Sequence, residues 1–453
     1  MNFLNNIPAF LVALGILIVV HEMGHYWVAR WCGVKVLRFS VGIGKVICSR
    51  RLGPDQTEWV ISALPLGGYV KMLDARDQDL AQVSEQDLKR EFTRQTVWRR
   101  IAIVAAGPIA NFLLAILIYA GLNIVGVLEA VPKVGHVAEK TTAYLAGLRG
   151  GEKVTAVDGE AIRTWSELRW KLAQAVVGKT LVKLDVERAD PDHAGGKLLD
   201  TISLPLNTIS ADDLEGDFTA KLGISLAQPA ILEKLLPDGP AERAGLRKGD
   251  QITEIDGKQI PDWYALVAVV RASPNKLLVV RGLREGHDFT VNLTTDSVSQ
   301  NGKQQGMIKA HFVPPETIVV NYPPLHAVGE AIHKTWDTSI LSVKMIGKML
   351  TGEVSWKNIT GPLTIADYAG QAARSGMITF LGLVAFVSIS LGVMNLLPVP
   401  VLDGGLLLYY SLEVLTGRPV SERFGEIAQR AGFAMLMMLM VVAFYNDILR
   451  LMP

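Results

Sequence analysis

Gly15-Ile16-Leu17-Ile18-Val19-Val20-His21-Glu22-Met23-Gly24-His25-Tyr26-Trp27-Val28-Ala29 holds a His-Glu-x-x-His pattern inside a run otherwise apolar enough to cross a membrane. From Met1 to Ala29 there is no Lys, Arg or Asp, and Glu22 is the only acid. Ionisable groups in a bilayer are costly and mark function. On a helix His21 and His25 stand at i and i+4, on one face and one turn apart. Both imidazoles can then bind one zinc ion, with Glu22 beside the metal as a general base for water. The stretch implies metal-dependent peptide hydrolysis inside a membrane.

Composition agrees with that setting. The chain has 453 residues, too many for one ordinary domain, and 49% are hydrophobic. Mean hydropathy is +0.28. The formal net charge is only +1, so nothing points to nucleic acid or to a strongly acidic partner. The two cysteines, Cys32 and Cys48, fall in the first polar loop, match no zinc-knuckle spacing, and are read as unpaired packing residues of a reducing compartment.

The fold class expected is a polytopic α-helical membrane protein with four transmembrane helices and inserted extracytoplasmic domains. The long apolar runs are residues 7–29, 101–128, 375–402 and about 431–446, the last being the shortest and taken as a helix over 431–450. The first lacks a basic n-region and carries ionisable groups, so it is not a cleaved signal peptide. No basic residue precedes it, whereas Arg30, Lys35, Arg38, Lys45, Arg50 and Arg51 follow. By the positive-inside rule the N-terminus lies outside and the loop over 30–100 inside. Residues 129–374 are then extracytoplasmic, 403–430 cytoplasmic, and the C-terminus outside. His21 and Asp403 thereby reach a similar depth near the cytoplasmic face.

A catalytic zinc takes three protein ligands and keeps one position open. Asn395-Leu396-Leu397-Pro398-Val399-Pro400-Val401-Leu402-Asp403-Gly404-Gly405 supplies a carboxylate at that depth. Its prolines interrupt helix and its paired glycines permit a tight turn, a broken backbone tolerated where it lines a cavity. Alone, Asp403 reads equally well as the interfacial end of the third run. Beside the His-Glu-x-x-His motif, the ligand reading prevails.

Together, His21-Glu22-Met23-Gly24-His25, Asn395-x-x-Pro398-x-Pro400 and Leu402-Asp403-Gly404 resemble the site-2 protease family. Phe39-Ser40-Val41-Gly42-Ile43-Gly44, Pro65-Leu66-Gly67-Gly68-Tyr69-Val70-Lys71-Met72 and Gly107-Pro108-Ile109-Ala110-Asn111-Phe112 extend the likeness along nearly the whole chain. The resemblance implies zinc bound by His21, His25 and Asp403, with Glu22 as base. It implies that Asn395, with Pro398 and Pro400, contacts substrate backbone or helps hold the oxyanion. It also implies cleavage of single-pass membrane proteins within their transmembrane segment, in the inner membrane of a bacterium. Anti-sigma factors of envelope-stress signalling and remnant signal peptides are the substrates expected. Close relatives often carry His after Leu-Asp-Gly-Gly, where this chain has Leu406.

Glu58-Trp59-Val60-Ile61-Ser62-Ala63-Leu64 alternates as a strand, and the resemblance makes 36–72 a membrane-associated β-loop. An exposed strand edge there can pair with a substrate drawn out of helical form. Further on, Ala146-Gly147-Leu148-Arg149-Gly150-Gly151-Glu152 through Val157-Asp158-Gly159 recurs as Ala244-Gly245-Leu246-Arg247-Lys248-Gly249-Asp250 through Ile255-Asp256-Gly257. Trp165 and Trp263 follow in register. This duplication resembles PDZ domains, placed at 129–221 and 222–312. Leu222-Gly223-Ile224 resembles the carboxylate-binding turn of the second copy, and Val134-Gly135-His136 is its less obvious counterpart in the first. Such grooves take peptide ligands or stand empty as steric filters. In 313–374, Val328, Ile332, Trp336, Ile340, Val343, Ile346 and Leu350 recur at helical spacing, an amphipathic helix lying on the outer membrane surface or against a PDZ domain. Two rival classes remain. A membrane-tethered PDZ adaptor or chaperone would need no protease centre, and a zinc transporter would want polar residues along several spans.

Overall fold

The computed structural model describes residues 6–75, 83–178, 180–189, 193, 196–210, 213, 217–300, 303–356 and 359–451. The chain opens with α1 (Ile7–Trp31), the hairpin β1 (Val36–Leu52) and β2 (Thr57–Met72), α2 (Glu85–Leu88) and α3 (Val97–Val125). A β-rich insert follows: β3 (Val127–Ala130), α4 (Thr142–Ala146), β4 (Lys153–Val157), β5 (Glu160–Ala161), α5 (Trp165–Gly178), β6 (Leu181–Ala189), β7 (Lys197–Pro205) and α6 (Phe218–Leu222). It continues through β8 (Leu232–Leu235), α7 (Pro240–Arg243), β9 (Gln251–Ile255), β10 (Lys258–Gln259), α8 (Trp263–Arg271), β11 (Leu277–Arg284) and β12 (His287–Thr294). Strands β13 (Asp296–Gln300), β14 (Lys303–Met307), β15 (Ala310–Phe312) and β16 (Thr317–Val320) complete it. Then come α9 (Pro324–Leu350), α10 (Pro362–Ser375), α11 (Met377–Leu396), α12 (Asp403–Thr416) and α13 (Glu422–Leu451). Packing separates a helical unit (Met1–Val127, Asn321–Leu350, Ile359–Asp447) from a second unit built mainly on Leu128–Val320.

Among the described residues, four helices are long and apolar enough to span a membrane: Ile7–Trp31, Val97–Val125, Met377–Leu396 and Arg423–Leu449. The third is shorter than the sequence suggests. It ends at Leu396 because Pro398 and Pro400 cannot continue its hydrogen-bond ladder, and a new helix starts at Asp403. The fourth is longer, since hydropathy marks the span while the helix also takes in the polar turns around Arg423, Glu426 and Arg430.

Small residues let the helices of the first unit approach closely. A Cβ on Gly24 of α1 would sit 2.3 Å from the Ala106 carbonyl oxygen of α3, and one on Gly392 of α11 would sit 2.9 Å from the Phe112 ring. Ile103, Gly107, Asn111 and Ala115 form the buried face of α3 at four-residue spacing. Ile109, Leu113 and Leu117 form its exposed apolar face, the side suited to lipid. At the far end of this unit Asp447, fully buried on α13, caps α10. It accepts hydrogen bonds from the backbone N–H groups of Gly361, Leu363 and Thr364 and from the Thr364 hydroxyl.

The hairpin folds back on itself. The first half of β1 pairs with both ends of β2, giving the lateral order 46–52, 57–62, 36–41, 68–72. The segment at 68–72 is therefore an edge of this sheet. Tyr26 of α1 packs edge-on against Phe39 and Trp59 with centroids 5.8 and 5.2 Å away, fixing the sheet to the first helix.

In α9 the buried residues are Ala327, Ala331, Thr335 and Thr338, which face α3 and α11. The apolar stripe read from sequence lies mostly on the other side, with Trp336 65% exposed. Small residues win the helix contact because they permit close approach.

The second unit contains two similar antiparallel sheets, ordered β5-β4-β6-β7 and β10-β9-β11-β12. Each has its own core, the first around Leu148, Leu168, Leu172 and Leu184, the second around Leu246, Ile255, Leu266 and Val280. Strands β3 and β16 pair, so the insert begins and ends on adjacent strands. One boundary moves. Leu222 and Ile224 are buried in the first core, and Gly135 N–H donates to the Ser225 carbonyl while Val134 bridges to Leu226. The Leu222-Gly223-Ile224 turn belongs to the first repeat, not the second, and Val134-Gly135 is its strand partner, not its counterpart. The equivalent turn of the second repeat is Ile308-Lys309-Ala310. Ile308 is buried in the second core, and Lys309 shares the positive φ of Gly223.

Candidate active site

The central turns of α1 carry His21, Glu22 and His25, and the first residue of α12 is Asp403. His21 Nε2 lies 3.2 Å from Asp403 Oδ2, and His25 Nε2 lies 3.5 Å from the same oxygen. The two Nε2 atoms are 3.2 Å apart. Sequence ends that the motifs alone placed at one depth thus meet in one triangle, the metal-binding constellation found among the described residues.

The break after α11 makes this possible. Leu402 N–H donates to the Val399 carbonyl, and Gly405 N–H to the Leu402 carbonyl, so the chain reverses within a few residues. A Cβ on Gly404 or Gly405 would come within 2.2 or 2.3 Å of the Leu397 or Val399 carbonyl oxygen. Only glycine fits that turn. Arg100 of α3 bonds Glu413 at 2.6 Å and lies over the Tyr410 ring, holding α12 along its length.

The triangle fits zinc. Tetrahedral bonds of about 2.0–2.1 Å put neighbouring ligand atoms about 3.3 Å apart. The three edges bracket that value. His25 Nδ1 donates to the Ile103 carbonyl at 2.8 Å, which leaves its Nε2 with a lone pair aimed inward. Three electron-rich atoms so close repel one another unless a cation sits between them. Room for both rings comes from Gly107, where a Cβ would fall 2.2 Å from His25 Nε2 and 2.7 Å from His21 Cε1.

Glu22 is half-buried on the same helix, and Gly68 of the sheet edge lies against it, so that a Cβ on Gly68 would fall 2.9 Å from Glu22 Cγ. An apolar recess of about 330 Å³ between α1 and the hairpin is lined by Val19, Met23, Phe39, Val41, Trp59 and Ile61, among others. Asn395 is half-buried in the last turn of α11, Pro398 is exposed, and Pro400 packs near Gly432 of α13. Asn395 lies at the end of α11, the two prolines stand on the non-helical break leading to Asp403, and none of the three is in the triangle. Leu406 packs with the cluster around Tyr26 and Phe39, so its apolar character serves packing. Leu222, Gly223 and Ile224 lie in the second unit, in the first repeat.

A spanning-helix core with two histidines and a carboxylate converging on one metal position defines a membrane-embedded metalloprotease, and residues 9–439 match the model of Peptidase family M50. The chain belongs to that family and is a multi-pass zinc metalloprotease. Its relatives include the regulator of sigma-E protease RseP of Salmonella typhimurium, 40% identical over the full length of both chains. RseP of Escherichia coli is 39% identical, again over 100% of each. A Ralstonia nicotianae protein provisionally named a zinc metalloprotease is 44% identical over 98% of each chain.

Proposed function

We propose that this protein is an intramembrane endopeptidase that cuts single-pass membrane proteins within their transmembrane segments. The observation that carries this reading is the His21–His25–Asp403 triangle, set between spanning helices with Glu22 alongside. Anti-sigma factors are the substrate class we favour from the family resemblance, in keeping with relatives named for regulation of sigma-E.

In the mechanism His21, His25 and Asp403 would hold the metal. When bound, zinc supplies Lewis acidity that acidifies water and polarises a scissile carbonyl. Glu22, one residue from a ligand, takes the proton of the attacking water and returns it to the departing amine. A helical substrate hides its amides in its own hydrogen bonds, so it must unwind first. The edge at 68–72, which touches Glu22 through Gly68, offers backbone groups to a substrate in extended form. Asn395, with Pro398 and Pro400, is read as binding the substrate's backbone beside that segment's path to the metal position.

We read the two repeats of the insert as PDZ domains, with Leu222-Gly223-Ile224 as the carboxylate turn of the first. The basic residues after α1 support an outside N-terminus, an extracytoplasmic insert and a site near the cytoplasmic face. Purified wild type and Glu22→Gln, incubated with a single-pass substrate, test the reading. Glu22→Gln is expected to keep zinc and lose turnover by about 100-fold or more. Normal cleavage by Glu22→Gln would remove Glu22 from the mechanism.

A further inference from the structure

Ile103, Gly107 and Asn111 lie on one face of α3, and all three touch the histidine pair. Ile103 offers its carbonyl to His25 Nδ1 at 2.8 Å, and Gly107 gives the rings their space. Asn111, 1% exposed, places its side-chain amide 3.2 Å from His21 Nδ1. Its backbone carbonyl is occupied separately by the Ser388 hydroxyl at 2.7 Å, which ties this turn to α11.

The tautomer of His21 decides what that amide must be. A histidine that ligates through Nε2 keeps its proton on Nδ1. With the amide nitrogen toward His21, two N–H groups would face each other, while the outer amide atom is buried without a hydrogen-bond partner in either orientation. Amide oxygen and nitrogen are interchangeable by heavy-atom position, and among the described residues no other hydrogen bond holds this amide in that orientation. Turning it through half a circle puts Oδ1 opposite Nδ1–H at the same distance. Both histidines then donate to oxygens of one helix.

We propose that Asn111 is the positioning residue for His21. Its side-chain oxygen accepts the Nδ1 proton, fixes the ring plane and aims the Nε2 lone pair at the metal. Pro108 contributes next door. Lacking an N–H, it leaves the Val104 carbonyl, one residue after Ile103, without a helical donor. The inference rests on His21 and His25 being zinc ligands.

The test uses the purified full-length protein, with zinc retention followed against a graded chelator. The visible spectrum of the cobalt(II)-substituted form reports ligand geometry. Asn111→Leu keeps the volume and removes the acceptor; zinc affinity is expected to fall roughly 10–100-fold. Asn111→Asp can only accept, and is expected to keep wild-type retention and the wild-type cobalt spectrum. Wild-type zinc retention in Asn111→Leu overturns the proposal. So does loss of zinc in Asn111→Asp at an unchanged melting temperature. His21→Ala separates the underlying reading: if it too retains zinc, the ligand assignment fails, and not merely the role of Asn111.

Discussion

Gly107 shows how little separates a metal centre from a packed helix crossing. Alanine there would place a methyl carbon 2.2 Å from His25 Nε2, so one ring must leave the triangle. Gly107→Ala is expected to lose zinc affinity roughly 10–100-fold, as second-sphere changes do, while its helices still assemble. Metal analysis after dialysis checks this, and full zinc content would show that the rings can give way. At Phe39, 2% exposed and wedged between Tyr26 and Trp59, the lost contact is apolar. Phe39→Ala is expected to cost about 3–5 kcal/mol, read as a lowered melting temperature in detergent. The His21–His25 pair was legible because its spacing is local. Asn111 stood in a recognised motif, yet its purpose depends on which helix faces α1, and no local pattern states that.

Among the elements, the hairpin is held to the segment before α3 by a two-bond clasp, Arg90 to Asp55 at 2.6 and 2.8 Å. Hydrogen bonding to Arg90 holds the Asp55 carboxyl below its usual value. A depressed folded pKa stabilises above the unfolded value, about 3.9, and that contribution fades as pH falls through the folded one. Asp55→Asn is therefore expected to lower stability at pH 7 by about 1 kcal/mol, a partly exposed pair being worth no more. The gap between variant and wild type should close below roughly pH 4. Melting curves across that window decide it, and a gap that persists in acid would assign the loss to packing. The four spans and the break at Pro398 and Pro400 follow from hydropathy and proline chemistry, which act over a few residues. The owner of Leu222-Gly223-Ile224 does not, because the strand that claims it starts near Val134 and pairs across the whole repeat. Nor did the α9 stripe announce its side. Apolar periodicity marks two faces without saying that the small residues take the contact.

For the whole molecule, the orientation read from basic residues makes a prediction of its own. In a background lacking Cys32 and Cys48, a cysteine replacing exposed Leu199 should react with an impermeant maleimide on intact cells. One replacing Arg94 should react only after the membrane is opened, and the reverse pattern would invert the topology. The metal triangle also has a consequence for biosynthesis. Two of its corners emerge from the ribosome first, and the third waits on α12, near the end of translation. A nascent chain or a truncated product therefore has an incomplete centre, and cannot cut neighbouring membrane proteins before its own assembly is finished.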